Sequence, residues 1–92
     1  MKSDTRFRPG DLVRVEVDIV SDDMGYTVNL WSDSTYVGVP IGEWSDKSVG
    51  VFLESKEEYL QQSPKLVRWT SYRVLVGLVV GWVDSRDVGR VP

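Results

Sequence analysis

Few residues of this 92-residue chain could do chemistry, and the absent types exclude most of it. It contains no histidine and no cysteine. The commonest general base and metal ligand are therefore missing, and so are thiolate nucleophiles, Cys-based metal sites and disulfides. Carboxylates remain. Asp18, Asp22 and Asp23 could suggest a calcium loop, but the ligand spacing and terminal glutamate of an EF-hand are absent, so a solvated turn is expected. Glu57 and Glu58 form a second acidic pair. Two carboxylates can hydrolyse a glycoside, but only across a deep cleft that a chain this short cannot comfortably build. No serine or lysine has a visible activating partner. The expectation is a protein that is not an enzyme, with no catalytic residues, no cofactor and no metal.

Binding groups are more plentiful. Trp31, Trp44, Trp69 and Trp82 are accompanied by Tyr26, Tyr36, Tyr59 and Tyr72. Such rings supply large contact area at low entropic cost and are enriched at interfaces. Trp31, Tyr36 and Trp44 fall near expected loops, which suits a partner surface; the alternative is that the rings patch a small core. Lys65, Arg68, Arg73, Arg86 and Arg90 outnumber Asp84 and Asp87 in the last third of the chain. They allow a nucleic-acid-associated reading through a local basic face. The net charge of −3 argues against it, as does the lack of the lysine density that phosphate-based affinity needs.

The elements that must position these groups are strands. Pro9-Gly10-Asp11 is a turn signal. Val13, Val15, Val17 and Ile19 then alternate with Arg14, Glu16 and Asp18, a half-buried strand over 11–19. Residues 26–39 read as a hairpin, with Tyr26, Val28 and Leu30 on one arm and Thr35, Val37 and Val39 on the other. Pro40-Ile41-Gly42 closes that section and leaves Trp44 in a polar loop. A strand follows over 49–54. Residues 54–62 have helical composition but are short, and Ser63-Pro64 ends them, so they read as an extended loop.

The last hairpin is the most specific feature. Gly77-Leu78 suits a two-residue type II′ turn, which sets Val76 against Val79, Leu75 against Val80, Val74 against Gly81, Arg73 against Trp82 and Tyr72 against Val83. Strands are thus expected over 72–76 and 79–83. One face carries Tyr72, Val74, Val76, Val79, Gly81 and Val83, a core. The other carries Arg73, Leu75, Val80 and Trp82, too apolar for a solvated sheet face. Either residues 20–47 or 55–65 fold over it, or it is a self-association or partner surface. Arg73 opposite Trp82 also permits a cation–π stack. A 3₁₀ or tight turn at 84–87 and a closing strand over 88–91 complete the chain.

Three segments resemble the SH3-like barrels of bacteria, bacteriophages and mobile genetic elements: Phe7-Arg8-Pro9-Gly10-Asp11-Leu12-Val13-Arg14-Val15, Val49-Gly50-Val51-Phe52-Leu53-Glu54, and Tyr72–Val76 followed by Gly81-Trp82-Val83-Asp84. The resemblance implies a small all-β, SH3-like five-stranded barrel. A long hairpin-like insertion follows its first strand, about thirty residues where the usual loop is shorter. It covers about half the chain and specifies a fold better than a function. Relatives of this fold hold proline-rich peptides or methylated lysines with loop aromatics.

The expectation is one domain over 7–92 behind a flexible stretch at 1–6. Neither a secretory signal nor a membrane span is visible, so a cytoplasmic protein is the default. Function is expected to be protein interaction, with a protein or peptide partner or a second copy. The expected contact residues are Trp31, Tyr36, Trp44, Arg73, Leu75, Val80 and Trp82.

Overall fold

The computed structural model describes residues 6–16, 25–34 and 38–91. These form seven strands: β1 (Leu12–Val15), β2 (Thr27–Trp31), β3 (Pro40–Ser45), β4 (Val49–Gln62), β5 (Lys65–Val76), β6 (Val79–Asp84) and β7 (Val88–Arg90). All join one antiparallel sheet in the order β3-β2-β6-β5-β4-β1-β7. A lone sheet can bury one of its faces only by curling over it. That is what the core requires here. Val13 and Val15 of β1, Leu30 of β2, Trp44 of β3, Phe52 of β4, Tyr72 and Val74 of β5, Val83 of β6 and Val88 of β7 meet in one buried cluster. Phe7 joins it from ahead of β1. Its ring lies edge-on to Tyr72 with centroids 5.6 Å apart, and Phe52 meets Tyr72 in the same way at 5.1 Å.

The final hairpin has the register expected from its turn. Val76 pairs with Val79, Leu75 with Val80, Val74 with Gly81, Arg73 with Trp82 and Tyr72 with Val83. Gly77 has φ +61°, and Leu78 does not have a positive φ, the sign pattern of a type II′ turn. A 3₁₀ turn at Ser85–Asp87 follows, capped by Asp84, whose carboxylate accepts from the Arg86 backbone N–H at 2.9 Å.

Four expectations are corrected. The sheet has seven strands, not five. Residues 55–65 are not a loop: β4 and β5 run on past the core as an arm, paired from Lys56 opposite Ser71 to Gln62 opposite Lys65 around a Ser63-Pro64 turn. The partner of β2 is β3 at Pro40–Ser45, so the hairpin in the insertion is not confined to 26–39. Trp44 is accordingly on a strand and wholly buried, with its indole N–H donating to the Ser48 carbonyl at 3.0 Å. Pro40 and Gly42 suggested a break, but β3 is an edge strand and Pro40 is its first residue, where a missing N–H costs the ladder nothing. Val17 and Ile19, expected at the end of the first strand, lie outside the described residues.

Candidate interaction surface

Period-two alternation gives every strand an inner, core-facing set and an outer set. The outer sets align across the sheet. Leu12 lies opposite Val51, Val51 opposite Leu75, and Leu75 opposite Val80. Four aliphatic side chains from β1, β4, β5 and β6 therefore stand in one row on the face away from the core. Leu12 is 55% exposed, Val80 37%, and Val49, two residues from Val51, 51%. Taking a Leu or Val side chain fully out of water is worth roughly 1.5–3 kcal/mol, so this row leaves hydrophobic free energy unused.

A second outer row lies beside it. Glu54 is opposite Arg73, Arg73 opposite Trp82, and Trp82 opposite Trp31. Both tryptophans are half-buried. Arg73 does not stack on Trp82 as expected: its Nη1 donates to Glu54 at 3.1 Å. The cation over the Trp82 ring is Lys56, 5.6 Å from the centroid. The Lys56 ammonium also pairs with Asp33 at 3.1 Å and Glu58 at 3.0 Å. These contacts hold the loop after β2 to β4. The hydrogen bond to Glu58 and that to Asp33 raise the Lys56 pKa. Asp33 is lowered by the Ser34 backbone N–H and by Lys56.

Of the expected contact residues, the structure gathers Trp31, Arg73, Leu75, Val80 and Trp82 on this face. It places Trp44 in the core instead, and Tyr36 lies outside the described residues. The arm does not cover this face, because it continues the sheet, and β2 and β3 join the sheet edge-on. The loop after β2 does cover one end of it, since Asp33 reaches past β6 and β5 to Lys56 on β4; the aliphatic row keeps its exposure at Leu12, Val49 and Val80. Leu12 and Val51 were not expected here. Their signal was the phase of their strands: with Val13, Val15 and Phe52 inward, both must point outward.

The five basic residues are not brought together. Lys65 and Arg68 are on the arm, where the Arg68 guanidinium lies 5.9 Å over the Tyr59 ring. Arg73 is paired with Glu54. Arg86 grips Asp84 through Nε at 3.1 Å and Nη2 at 2.9 Å. Arg90 is on β7, three strands from β5, and donates to the Arg6 carbonyl at 2.7 Å.

The arm carries its own apolar pair on the outer face, Leu60 opposite Val67, both exposed. Open clefts of about 260 Å³ and 200 Å³ flank its base at Arg68-Trp69-Thr70. The acidic pair expected to be solvated is split across the arm's two faces. Glu57 accepts from the Tyr59 hydroxyl at 3.1 Å, which raises the Tyr59 pKa, and Glu58 pairs with Lys56. Asp18, Asp22 and Asp23 lie outside the described residues. Among the described residues no three acidic side chains gather in a way that could hold a metal ion, and no helix is long and apolar enough to cross a membrane. No family model, curated protein or solved structure matches the chain.

Proposed function

We propose that this chain is a small, non-catalytic protein-interaction module, SH3-like in outline, whose working surface is the outer face of its sheet. One observation carries the reading: Leu12, Val51, Leu75 and Val80 stand in register across four strands on the face opposite the core. Antiparallel sheets with one wet face are normally polar on it. A contiguous apolar row bordered by Trp31, Trp82 and the Arg73–Glu54 pair has the make-up of an interface centre with a polar rim. The three segments that resemble SH3-like barrels fall on β1, on β4, and on β5 with β6, all in one curled sheet, which supports that family as the setting. The nucleic-acid reading is weaker, because Arg73 and Arg86 are neutralised in place.

The test places a thiol in the row. Val80→Cys in this cysteine-free chain should react with a maleimide reagent when dilute and become protected as a protein occupant binds. A strict monomer to several hundred micromolar in which the introduced thiol is already closed to the reagent would mean the chain covers its own face, and would overturn the reading.

A further inference from the structure

We propose that the edge of β5 along the arm takes an extended, acidic peptide segment of a partner protein as an added strand. This is a second surface, and it does not depend on the outer face being an interaction surface.

The open stretch follows from the ladder. Val76 and Val79 flank a two-residue turn and exchange both backbone hydrogen bonds. Every second residue back along β5, Val74 and then Tyr72, therefore turns its N–H and C=O toward β6, and the residues between turn toward β4. Phe52 gives the same phase: its N–H donates to the Asp11 carbonyl at 2.8 Å, so Val51 and its partner Leu75 face one another. β6 stops at Asp84, opposite Ser71. Past that point the alternation still brings the backbone groups of Leu66 and Arg68 to the β6 side. There, no backbone or side-chain group among the described residues meets them. In place of a strand lies the open cleft of about 260 Å³, with Val67–Thr70 as one wall and Asp84–Arg86 as the other.

The other free edges are guarded in ways this one is not. β3 opens on Pro40 and carries a register shift between its pairs with Leu30 and Trp31. β7 is three residues long, and guanidinium groups take two of its carbonyls: Arg6 donates to Val88 at 2.9 Å and Arg14 to Arg90 at 2.8 Å. The β4 edge of the arm carries the charged run Glu54, Lys56, Glu57 and Glu58. Such devices keep foreign strands from adding. From Lys65 to Trp69, β5 has no proline and no bulge, and Leu66 and Val67 are exposed. A two-stranded ribbon is marginal in water, and a third strand stabilises it.

Charge selects the occupant. Lys65, Arg68 and Arg73 are the charged residues of β5, with no acid among them. Lys65 and Arg68 have no carboxylate partner among the described residues. Glu57 and Glu58 are on β4, on the far side of β5, and Asp84 is held by Arg86. Opposite charges across a strand pair stabilise it and like charges destabilise it. A second copy adding its own β5 would bring two Lys65 and two Arg68 side chains into one short ladder. An acidic segment, roughly 4.8 Å away in the strand direction of hydrogen bonding, answers both cations and lays an apolar residue beside Val67.

The test pans a displayed library of random octapeptides against the full chain. Enriched peptides should be acidic, and their binding should slow exchange of the Leu66 and Arg68 amides at least tenfold. Arg68→Pro removes an N–H that the β4 ladder does not use, and should weaken these peptides at least tenfold. Arg68→Glu is the second variant, should proline disturb the fold; it should lose the acidic peptides and, panned itself, enrich basic ones. A library that yields no binder, or binders held equally by both variants, overturns the edge site. Binders that close the Val80→Cys thiol and leave the two amides exchanging freely also overturn it, while leaving the outer-face reading standing. Amides already protected in the dilute chain would show that the chain fills its own edge, and protection that appears only on concentration would show a second copy; either result overturns the acidic partner.

Discussion

Lys56 holds its ammonium 5.6 Å over the Trp82 ring while pairing with Asp33 and Glu58. One exposed lysine on β4 thereby ties the loop after β2 to the aromatic end of the outer face. Its raised pKa means this contribution is complete below the unfolded-state value and is lost as pH rises through the folded one. Exposed pairs stabilise little. Lys56→Met is therefore expected to shift tryptophan emission and alter its quenching by iodide, with the denaturation midpoint almost unchanged. A large fall in midpoint would show that the loop depends on Lys56 for its place in the fold.

Gly81 sets how closely β2 can approach β6. A Cβ at Gly81 would lie 2.8 Å from the Leu30 Cβ, an atom fixed to its backbone that cannot swing aside. Gly81→Ala should cost about 1–3 kcal/mol, the scale of overpacking in a tight core. Amide exchange should quicken first over 27–31 and 40–45, because β2 meets the body of the sheet at β6. Unchanged exchange there would show that the two strands yield without separating.

Asp84 and Asp87 flank one 3₁₀ turn with opposite signs. Burial acts to raise Asp84, but hydrogen bonds from Arg86 outweigh it and the pKa is lowered. Burial and the neighbouring Asp84 charge raise Asp87. Asp84 therefore contributes stability above the ordinary carboxylate range, lost as pH falls through its folded pKa; Asp87 works the other way, its ionisation weakening the fold at neutral pH. Asp84→Ala should cost about 1 kcal/mol at pH 7 through loss of the cap, with the penalty shrinking toward pH 3. Asp87→Asn should be neutral or stabilising at pH 7. Urea titrations at the two pH values would decide, and an equal Asp84→Ala penalty at both would refute the assignment.

Two valines on the last hairpin separate the faces. Val74 is fully buried and Val80 over a third exposed. Val74→Ala should cost about 1–3 kcal/mol in urea unfolding of dilute monomer. Val80→Ala should cost less than about 0.5 kcal/mol there, as surface changes do. Equal losses would mean the outer face is packed within the single chain.

The residues that spoke clearly in the sequence were those whose partners are close by. Gly77 fixes a two-residue turn, so alternation from Tyr72 to Val83 settles a register and two faces without knowledge of any other strand. Trp44 could not be read this way. Its strand begins at Pro40 and contains Gly42, and only pairing with β2 shows that it is a strand at all. The arm was obscured by Glu54–Gln62, whose composition favours helix locally, while pairing with 65–73 prevails. The aliphatic row was half legible: Leu75 and Val80 came from the hairpin, but Leu12 and Val51 join them only through pairings of β1 with β4 and β4 with β5.

The sheet order also dictates how the chain can fold. β4, β5 and β6 are joined by two-residue turns and can zip as neighbours. β1 must find β7 from almost the whole chain away, with Val13 opposite Arg90. Loop closure on that scale is the costly entropic step, and pairings so distant in sequence slow two-state folding. The β1–β7 seam, locked by Arg14 donating to the Arg90 carbonyl at 2.8 Å, is where the transition state should be least formed. Until β1 closes on both β4 and β7, the Phe7, Val13 and Val15 side chains lack their full core, and the meander waits as an open sheet.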